Sequence, residues 1–277
     1  MKYFISTINF SPLMREKISD VIPEMIDKGI KNIEISSLHP YEENLNFKKY
    51  SANILFHNFA PPIKENLLIN LCSPKNAEKV KRFIKDRILL TKQLGQKYYS
   101  FHAGFRLDYL RALHYYEDRL TYSEAMMKFS DAMTEIVEFA EKQKLHIGIE
   151  NHCSIKENKD NLMLYDLVDW DSFFRGMKSS SYLHLHLDIG HLKISSNEHK
   201  FDAKTFLETV GYKVMAVHVH DNTGYKVDCH APFGEDFWFD EDHWRLLNNL
   251  EYVILETKTF GDMGRIYKMI EILEERI

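Results

Sequence analysis

Cysteine is scarce in this sequence, with three residues among 277, at positions 72, 153 and 229. An odd number with no Cys-x-x-Cys pair does not build a disulfide framework, so we expect a reduced, intracellular protein with a cytoplasmic location. No apolar run approaches 18 residues, which argues against a transmembrane helix. The apolar stretch at the start is too short for a signal peptide.

An excess of basic charge is also missing. The 36 Lys and Arg residues are outnumbered by 41 Asp and Glu residues, which gives a net charge of −5. A weakly acidic chain has no bulk attraction to nucleic acid, so we do not expect nucleic acid as a partner. The 44% of hydrophobic and 28% of charged residues are typical of a globular protein rather than a disordered one.

Short β-rich runs alternate with longer helical stretches, which is typical of a parallel α/β fold. Eight runs are predicted strands: 2–7, 31–36, 53–57, 97–102, 145–150, 183–188, 213–220 and 251–256. No linker divides the chain, so the sequence predicts a single (β/α)₈ TIM barrel over residues 1–277. The alternative is a doubly wound open sheet, which usually has a glycine-rich turn after its first strand, and this chain has none there.

Local signals mark the starts of several helices. Ser-Pro pairs at 11–12 and 73–74 predict an N-cap followed by proline at the first helical position. Thr121 and Glu124 predict a capping box at the start of a longer helix. Predicted helices lie between most strands, and a last one covers 262–276.

The residues that end the predicted strands carry an unusual set of side chains. Six strands end in a group that can bind a divalent metal: His57, His102, Glu150, Asp188, the run from His218 to Asp221, and Glu256. In a parallel barrel these ends surround one pocket. Converging buried carboxylates and imidazoles need a metal or many hydrogen bonds. Mixed histidine and carboxylate ligands predict a divalent metal cofactor, Zn²⁺ or Mn²⁺.

Two loop segments add candidates to this ring. Gly190 permits a tight turn after Asp188, which can bring His191 back over the pocket. Asp228 and His230 are two residues apart, so on an extended loop they face the same side and can share a metal. Long connections at 103–120, 151–168 and 221–239 all follow strands and therefore lie on the same face of a barrel.

The sixth predicted strand carries two further histidines. His184 and His186 alternate with Asp188, so all three are predicted to point into the barrel. We interpret the two histidines as hydrogen-bonded core residues rather than as metal ligands, because a lone buried histidine is more often a satisfied structural group.

These residues together resemble the xylose isomerase-like barrel superfamily, which includes sugar isomerases and epimerases as well as endonuclease IV-type apurinic-site nucleases. The resemblance covers nearly the whole chain. In the sugar branch it implies one divalent metal held by Glu150, Asp188, His218 and Glu256. It also implies that Glu150 and Glu256 act as acid and base around an enediolate. The implied partner is a small sugar or sugar phosphate, and such barrels often form homodimers.

The nuclease branch implies up to three zinc ions and nine ligands. All nine have matches here: His57, His102, Glu150, Asp188, His191, His218, Asp228, His230 and Glu256. A zinc-dependent phosphodiesterase therefore stays open as an alternative. The loop after His57 is longer than in the nucleases and shows no arginine wedge, which favours the sugar branch.

The chain also departs from the sugar branch. Residues 222–234 contain no substrate-binding arginine, and Gly234-Glu235-Asp236 replaces a Gly-x-Gly run. A non-catalytic barrel that binds a metal or a sugar is therefore a third option. The candidate substrate-binding residues are His191 for a hydroxyl, Arg106 and Lys258 for a phosphate or carboxylate, and Trp238 for a sugar face; Tyr109, Arg111, Tyr115 and Tyr116 are candidates for a lid.

Overall fold

The structure is a computed structural model that describes residues 1–13, 15–37, 39–65, 67–107, 109–111, 114–115, 119–177 and 180–277. Tyr116, one of the candidate lid residues, lies outside the described residues. Of the other lid candidates only the backbone is described, and it forms two short antiparallel strands in the connection after the fourth barrel strand. The side-chain part of the lid prediction therefore falls outside the described structure.

Eight parallel strands form a nearly closed barrel, which confirms the predicted (β/α)₈ fold and excludes the open sheet. The eight barrel strands are β1 (Lys2–Ser6), β2 (Asn32–Ile35), β3 (Asn53–Phe56), β4 (Tyr98–His102), β7 (His146–Glu150), β8 (Leu183–Asp188), β9 (Val214–Val219) and β10 (Tyr252–Leu255). The connection between β4 and β7 contains the hairpin strands β5 (Tyr109–Arg111) and β6 (His114–Tyr115). The order is β3-β2-β1-β10-β9-β8-β7-β4. A parallel bridge from His57 to Ser100 joins the two outer strands.

Helices cover the outside of the barrel. Within the described residues they are α1 (Ile18–Asp27), α2 (Ala77–Gln93), α3 (Tyr122–Gln143), α4 (Leu167–Gly176), α5 (Ile189–His199), α6 (Ala203–Val210), α7 (Glu241–Trp244) and α8 (Met263–Arg276). The Thr121 and Glu124 capping box is confirmed at the start of α3. No helix in the described part of the chain is long and apolar enough to cross a membrane.

The two predicted Ser-Pro helix starts are wrong. Helix α1 begins only at Ile18, and the Ser11 hydroxyl instead donates to the Glu16 carboxylate. The Ser73 hydroxyl accepts a hydrogen bond from the backbone N–H of Asn76 at 2.8 Å. This bond closes a turn that precedes the helix, and α2 begins at Ala77. Serine followed by proline stabilises a turn as well as it stabilises a helix start, so the local pattern does not separate the two.

The interior of the barrel is filled by side chains below the strand ends. A cluster separate from the main core contains Phe4, Leu55, Tyr98, Met215, Ala216, Tyr252 and Ile254. Strand residues two apart point to the same face. The inward face of β7 and β8 therefore carries Gly148 and His186 in this layer, with Glu150 and Asp188 above them. This buried layer fills the barrel beneath the polar strand ends.

Gly148 is the position where this layer has no space for a side chain. A Cβ atom at Gly148 would collide with Tyr98 Oη and lie 2.7 Å from Tyr98 Cζ. We expect Gly148→Ala to lower the free energy of unfolding by about 1–3 kcal/mol, because overpacking strains a dense core. Urea unfolding measures this change. The matched control is Gly176→Ala at the end of α4, where a Cβ meets nothing within 4 Å; an equal loss in both variants would contradict the packing argument.

Candidate metal centre

Four strand ends meet in a central group. Glu150 ends β7, Asp188 ends β8, His218 lies in β9 and Glu256 follows β10; all four are buried. His218 Nδ1 lies 3.2 Å from Glu150 Oε1, 3.2 Å from Glu256 Oε2 and 3.8 Å from Asp188 Oδ2. One ligand atom from each residue lies within 4.8 Å of the other three. The structure therefore brings together the four residues predicted as the main metal ligands.

An inner group shares Glu150 with the central one. His57 Nε2 lies 2.9 Å from Glu150 Oε2, and His102 Nδ1 lies 3.5 Å from the same oxygen. His57 Nδ1 is held by the Ser100 hydroxyl at 3.1 Å. His102 Nδ1 is buried and, among the described residues, has no hydrogen-bond partner. A buried imidazole nitrogen that faces a carboxylate without a bond fits a shared divalent cation.

An outer group lies toward the loops. Asp228 Oδ2 is 3.0 Å from His191 Nε2 and 3.0 Å from His230 Nε2. The second nitrogen of each imidazole is fixed by a backbone carbonyl, at 2.9 Å for His191 and 3.0 Å for His230. The three residues predicted as extra ligands are thus neighbours.

The local reasons for this outer group differ from those expected. Asp188 is the N-cap of α5 and accepts a hydrogen bond from the His191 backbone N–H at 2.6 Å, so the helix start rather than a glycine turn returns His191 to the site. His230 has a φ of 50°, so the loop is not extended there. The left-handed backbone at His230 turns its ring onto Asp228.

Sequence reasoning missed Glu34, a buried residue in β2. Both of its carboxylate oxygens accept from His218 Nε2, at 3.0 and 3.1 Å. This contact directs the other ring nitrogen, Nδ1, toward the central group, as carboxylates commonly do for metal-binding histidines. The available signal was a glutamate flanked by Ile33 and Ile35 within a predicted strand.

We expect Glu34→Gln to weaken divalent-metal binding by about 10- to 100-fold, the usual cost of losing such an outer carboxylate. A competition titration against a metallochromic chelator measures the affinity. Glu42→Gln is the matched control, because Glu42 also accepts a hydrogen bond, from Ser19 N, but is not part of the metal-ligating groups. Unchanged affinity in Glu34→Gln would show that His218 does not need this support.

Charge coupling across the site is strong. Burial raises the pKa of the Glu150 carboxyl, but His102, His57 and His218 outweigh it and hold that pKa well below the usual value. Burial opposes protonation of His230, but Glu256 and Asp228 raise its pKa to about 9. The carboxylates likewise raise the pKa values of His191 and His218, and protons on these imidazoles compete with a metal, so metal affinity should fall as the pH falls.

The four predicted substrate-binding residues lie in different surroundings. His191 belongs to the outer group, and the Lys258 backbone N–H donates to the His230 carbonyl at 2.8 Å. The Arg106 guanidinium instead donates twice to the Leu120 carbonyl, at 3.1 and 2.9 Å. Trp238 packs its ring against Phe239 and His243. Substrate contacts by Arg106 and Trp238 remain predictions.

Each of the two β8 histidines has one hydrogen-bond partner, but His184 is only half-buried and His186 Nε2 has no partner among the described residues. His186 Nδ1 lies 2.9 Å from Tyr98 Oη, and His184 Nε2 lies 2.8 Å from His146 Nδ1. The His186 ring supports the metal centre from below, with its centroid 4.1 Å from that of His218.

Comparison with known proteins places this geometry in a family. A family model described as a xylose isomerase-like TIM barrel matches residues 9–275. The chain belongs to this family. An uncharacterized protein of Methanocaldococcus jannaschii, MJ1311, is 32% identical over 116 residues, which are 41% of this chain. The match spans only 36% of the length of that relative.

Solved structures of the same fold include several sugar epimerases. A D-tagatose 3-epimerase-like protein has a TM-score of 0.72 and 22% identity, covering 100% of this chain and 97% of its own. The IolI protein with a bound zinc atom has a TM-score of 0.72 and 14% identity, with coverages of 100% and 99%. D-Psicose 3-epimerase with D-tagatose, from Clostridium cellulolyticum H10, has a TM-score of 0.67 and 14% identity, with coverages of 100% and 98%. At these identities the likeness shows the fold alone.

Proposed function

We propose that this chain is a divalent-metal-dependent isomerase or epimerase of a sugar or sugar phosphate, with Glu150 and Glu256 as the proton-transfer groups. The observation that carries the proposal is that these two buried carboxylates, from β7 and from the end of β10, each lie 3.2 Å from His218 Nδ1. They therefore flank one point above the buried layer that fills the barrel. Family membership and the zinc atom of the IolI relative support a metal there.

The residues divide the chemistry between binding and proton transfer. A divalent cation held by Glu150, Asp188, His218 and Glu256 would polarise a substrate carbonyl as a Lewis acid. One glutamate then takes the proton from the carbon next to that carbonyl, and the same or the opposite glutamate returns a proton. Return to the opposite face of the same carbon gives an epimer, and return to the neighbouring carbon gives an isomer.

Of the two basic candidates for a phosphate or carboxylate of the substrate, this proposal favours Lys258. Its backbone is bonded to His230, and Glu256 lies two residues before it. The Arg106 guanidinium already holds the loop carbonyl of Leu120. In this proposal His191 orients a hydroxyl or binds a further metal.

The second candidate function is a zinc-dependent phosphodiesterase. It is favoured by the outer group, in which Asp228 lies 3.0 Å from both His191 and His230. In that reaction several metal ions generate a hydroxide and stabilise the leaving oxygen. This second function requires the protein to bind and cleave a DNA duplex at an abasic site, and the net charge of −5 gives no bulk attraction to DNA.

Solvent deuterium separates these functions. Metal-loaded protein is incubated in D₂O with a panel of ketoses and ketose phosphates, and the sugars are followed by NMR and mass spectrometry; an abasic-site duplex is tested in parallel. We expect deuterium at the carbon next to the carbonyl, together with a new sugar, and no cleavage of the duplex. Cleavage without exchange supports the phosphodiesterase, and sugar binding without exchange supports a non-catalytic barrel.

A further inference from the structure

His220 is a buried imidazole within the run from His218 to Asp221, and neither branch of the family resemblance gives it a role. It follows β9 and is 0% exposed. Its Nε2 lies 3.1 Å from Asp188 Oδ2 and 3.7 Å from Asp228 Oδ1. Its ring stacks on the ring of His230 with centroids 4.2 Å apart. His220 therefore lies between the central and the outer groups and belongs to a candidate ligand set on each side.

Space for this imidazole is provided by Gly190. A Cβ atom at Gly190 would lie 2.5 Å from His220 Nδ1 and 2.6 Å from Nε2. Glycine is a poor helix former, yet here it stands in the first turn of α5. The Asn222 side chain donates to the Gly190 carbonyl at 2.9 Å, which holds the strand exit against the helix. Any other residue at 190 would displace the ring, so this glycine selects the position of His220.

The carboxylates of Asp188 and Asp228 bring more negative charge to His220 Nε2 than one proton on this nitrogen balances. Nε2 faces two carboxylates, and a proton on it reaches Asp188 at 3.1 Å. Asp228 Oδ1 then remains buried without a hydrogen-bond partner in the described structure. A cation between His220, Asp228 and His230 is in reach of all three, because one ligand atom of each lies within 4.8 Å of the others. A metal satisfies the atoms that a single proton leaves unpaired.

We propose that His220 is a ligand of a zinc ion in the outer group and that, with His191, Asp228 and His230, it closes this site to outside ligands. Structural zinc sites have four protein ligands, whereas catalytic zinc sites keep a position open for water or substrate. His220, Asp228 and His230 supply three ligands of one group, and His191, whose Nε2 lies 3.0 Å from Asp228 Oδ2, is the candidate for the fourth. With all four ligands bound, the outer zinc ties the loop after β9 to α5 and leaves no position for water.

The first test is the zinc content of His220→Asn. Protein is equilibrated with buffered free zinc, and bound zinc is counted by elemental mass spectrometry across a range of concentrations. We expect His220→Asn to bind one zinc equivalent fewer than the wild type. Its affinity for that zinc should fall by more than the about 10- to 100-fold that is lost when a hydrogen-bond partner of a ligand is removed. His243→Asn is the control, since His243 contacts a carboxylate, Asp240, at the protein surface.

The asparagine distinguishes a ligand from a supporting residue. Its amide can still donate to Asp188, so a His220 that only supports Asp188 predicts near wild-type zinc binding in His220→Asn. That result would overturn the proposal. Solvent-deuterium exchange into sugars is measured separately on the same samples, so failure of the proposed reaction does not affect the zinc count.

A second measurement uses the wild-type protein and does not depend on the folding of a variant. Crystals grown with zinc are examined by anomalous scattering at the zinc edge. We expect a peak about 2.0–2.1 Å from His220 Nε2, the usual zinc–imidazole distance. A peak bound to Asp228 and His230 with His220 still on Asp188, or no peak in the outer group, overturns the proposal.

Discussion

Replacing Glu150 by glutamine is expected to lower solvent-deuterium exchange into the sugar by about 10²- to 10⁴-fold, the range that general acid–base groups contribute. A glutamine amide neither accepts the proton nor carries the charge that faces His218 and His57 at 3.2 and 2.9 Å. Glu256→Gln is expected to have a similar effect, since Glu256 is the carboxylate on the other side of His218. The initial rate of deuterium incorporation measures both.

Glu150 is also a candidate ligand, so lost metal must be separated from lost proton transfer. The rates are therefore compared at saturating metal and expressed per bound ion. Glu208→Gln, at an exposed position of α6, is the control for loss of one negative charge. Exchange at the wild-type rate in either active-site variant would remove that residue from the mechanism.

The barrel and most of the metal centre could be predicted because both depend on simple rules. Alternating strand and helix patterns predict parallel strands, and parallel strands place their carboxyl ends together. His57, His102, Glu150, Asp188 and Glu256 could therefore be grouped from their positions alone. Their convergence needs no knowledge of side-chain packing, only that the strands close into a barrel.

The residues that were missed depend on packing between distant segments. Glu34 lies within β2 rather than at its end, and its role appears only when His218, 184 residues away, turns Nε2 toward it. His220 has a defined position only because Gly190 leaves space for its ring. In the described part of the connection between β2 and β3 there is likewise a short 3-10 helix, Phe47–Lys49, and no α-helix, although a βα unit usually has one. Local patterns carry none of this information.

The metal centre concentrates negative charge that the fold alone balances poorly. Five carboxylates contribute to it: Glu34, Glu150, Asp188, Asp228 and Glu256. Two buried ligand atoms, His102 Nδ1 and Asp228 Oδ1, have no hydrogen-bond partner within the described residues. Each such atom costs free energy in the folded state. A cation that binds only the folded chain relieves this cost.

Adding zinc or manganese to metal-free protein is therefore expected to raise the melting temperature by roughly 8–16 °C. A ligand at 1,000 times its dissociation constant stabilises by about 4.1 kcal/mol, and each kcal/mol shifts the melting temperature of a chain of this size by roughly 2–4 °C. Differential scanning calorimetry measures the shift, with Asp188→Asn as the variant that should lose most of it. Calcium is the control ion, because it prefers sites made of oxygen ligands. A melting temperature that does not respond to zinc or manganese would show that protons and hydrogen bonds alone satisfy the ligand residues of the metal centre. The proposed mechanism would then have to be rewritten without a metal.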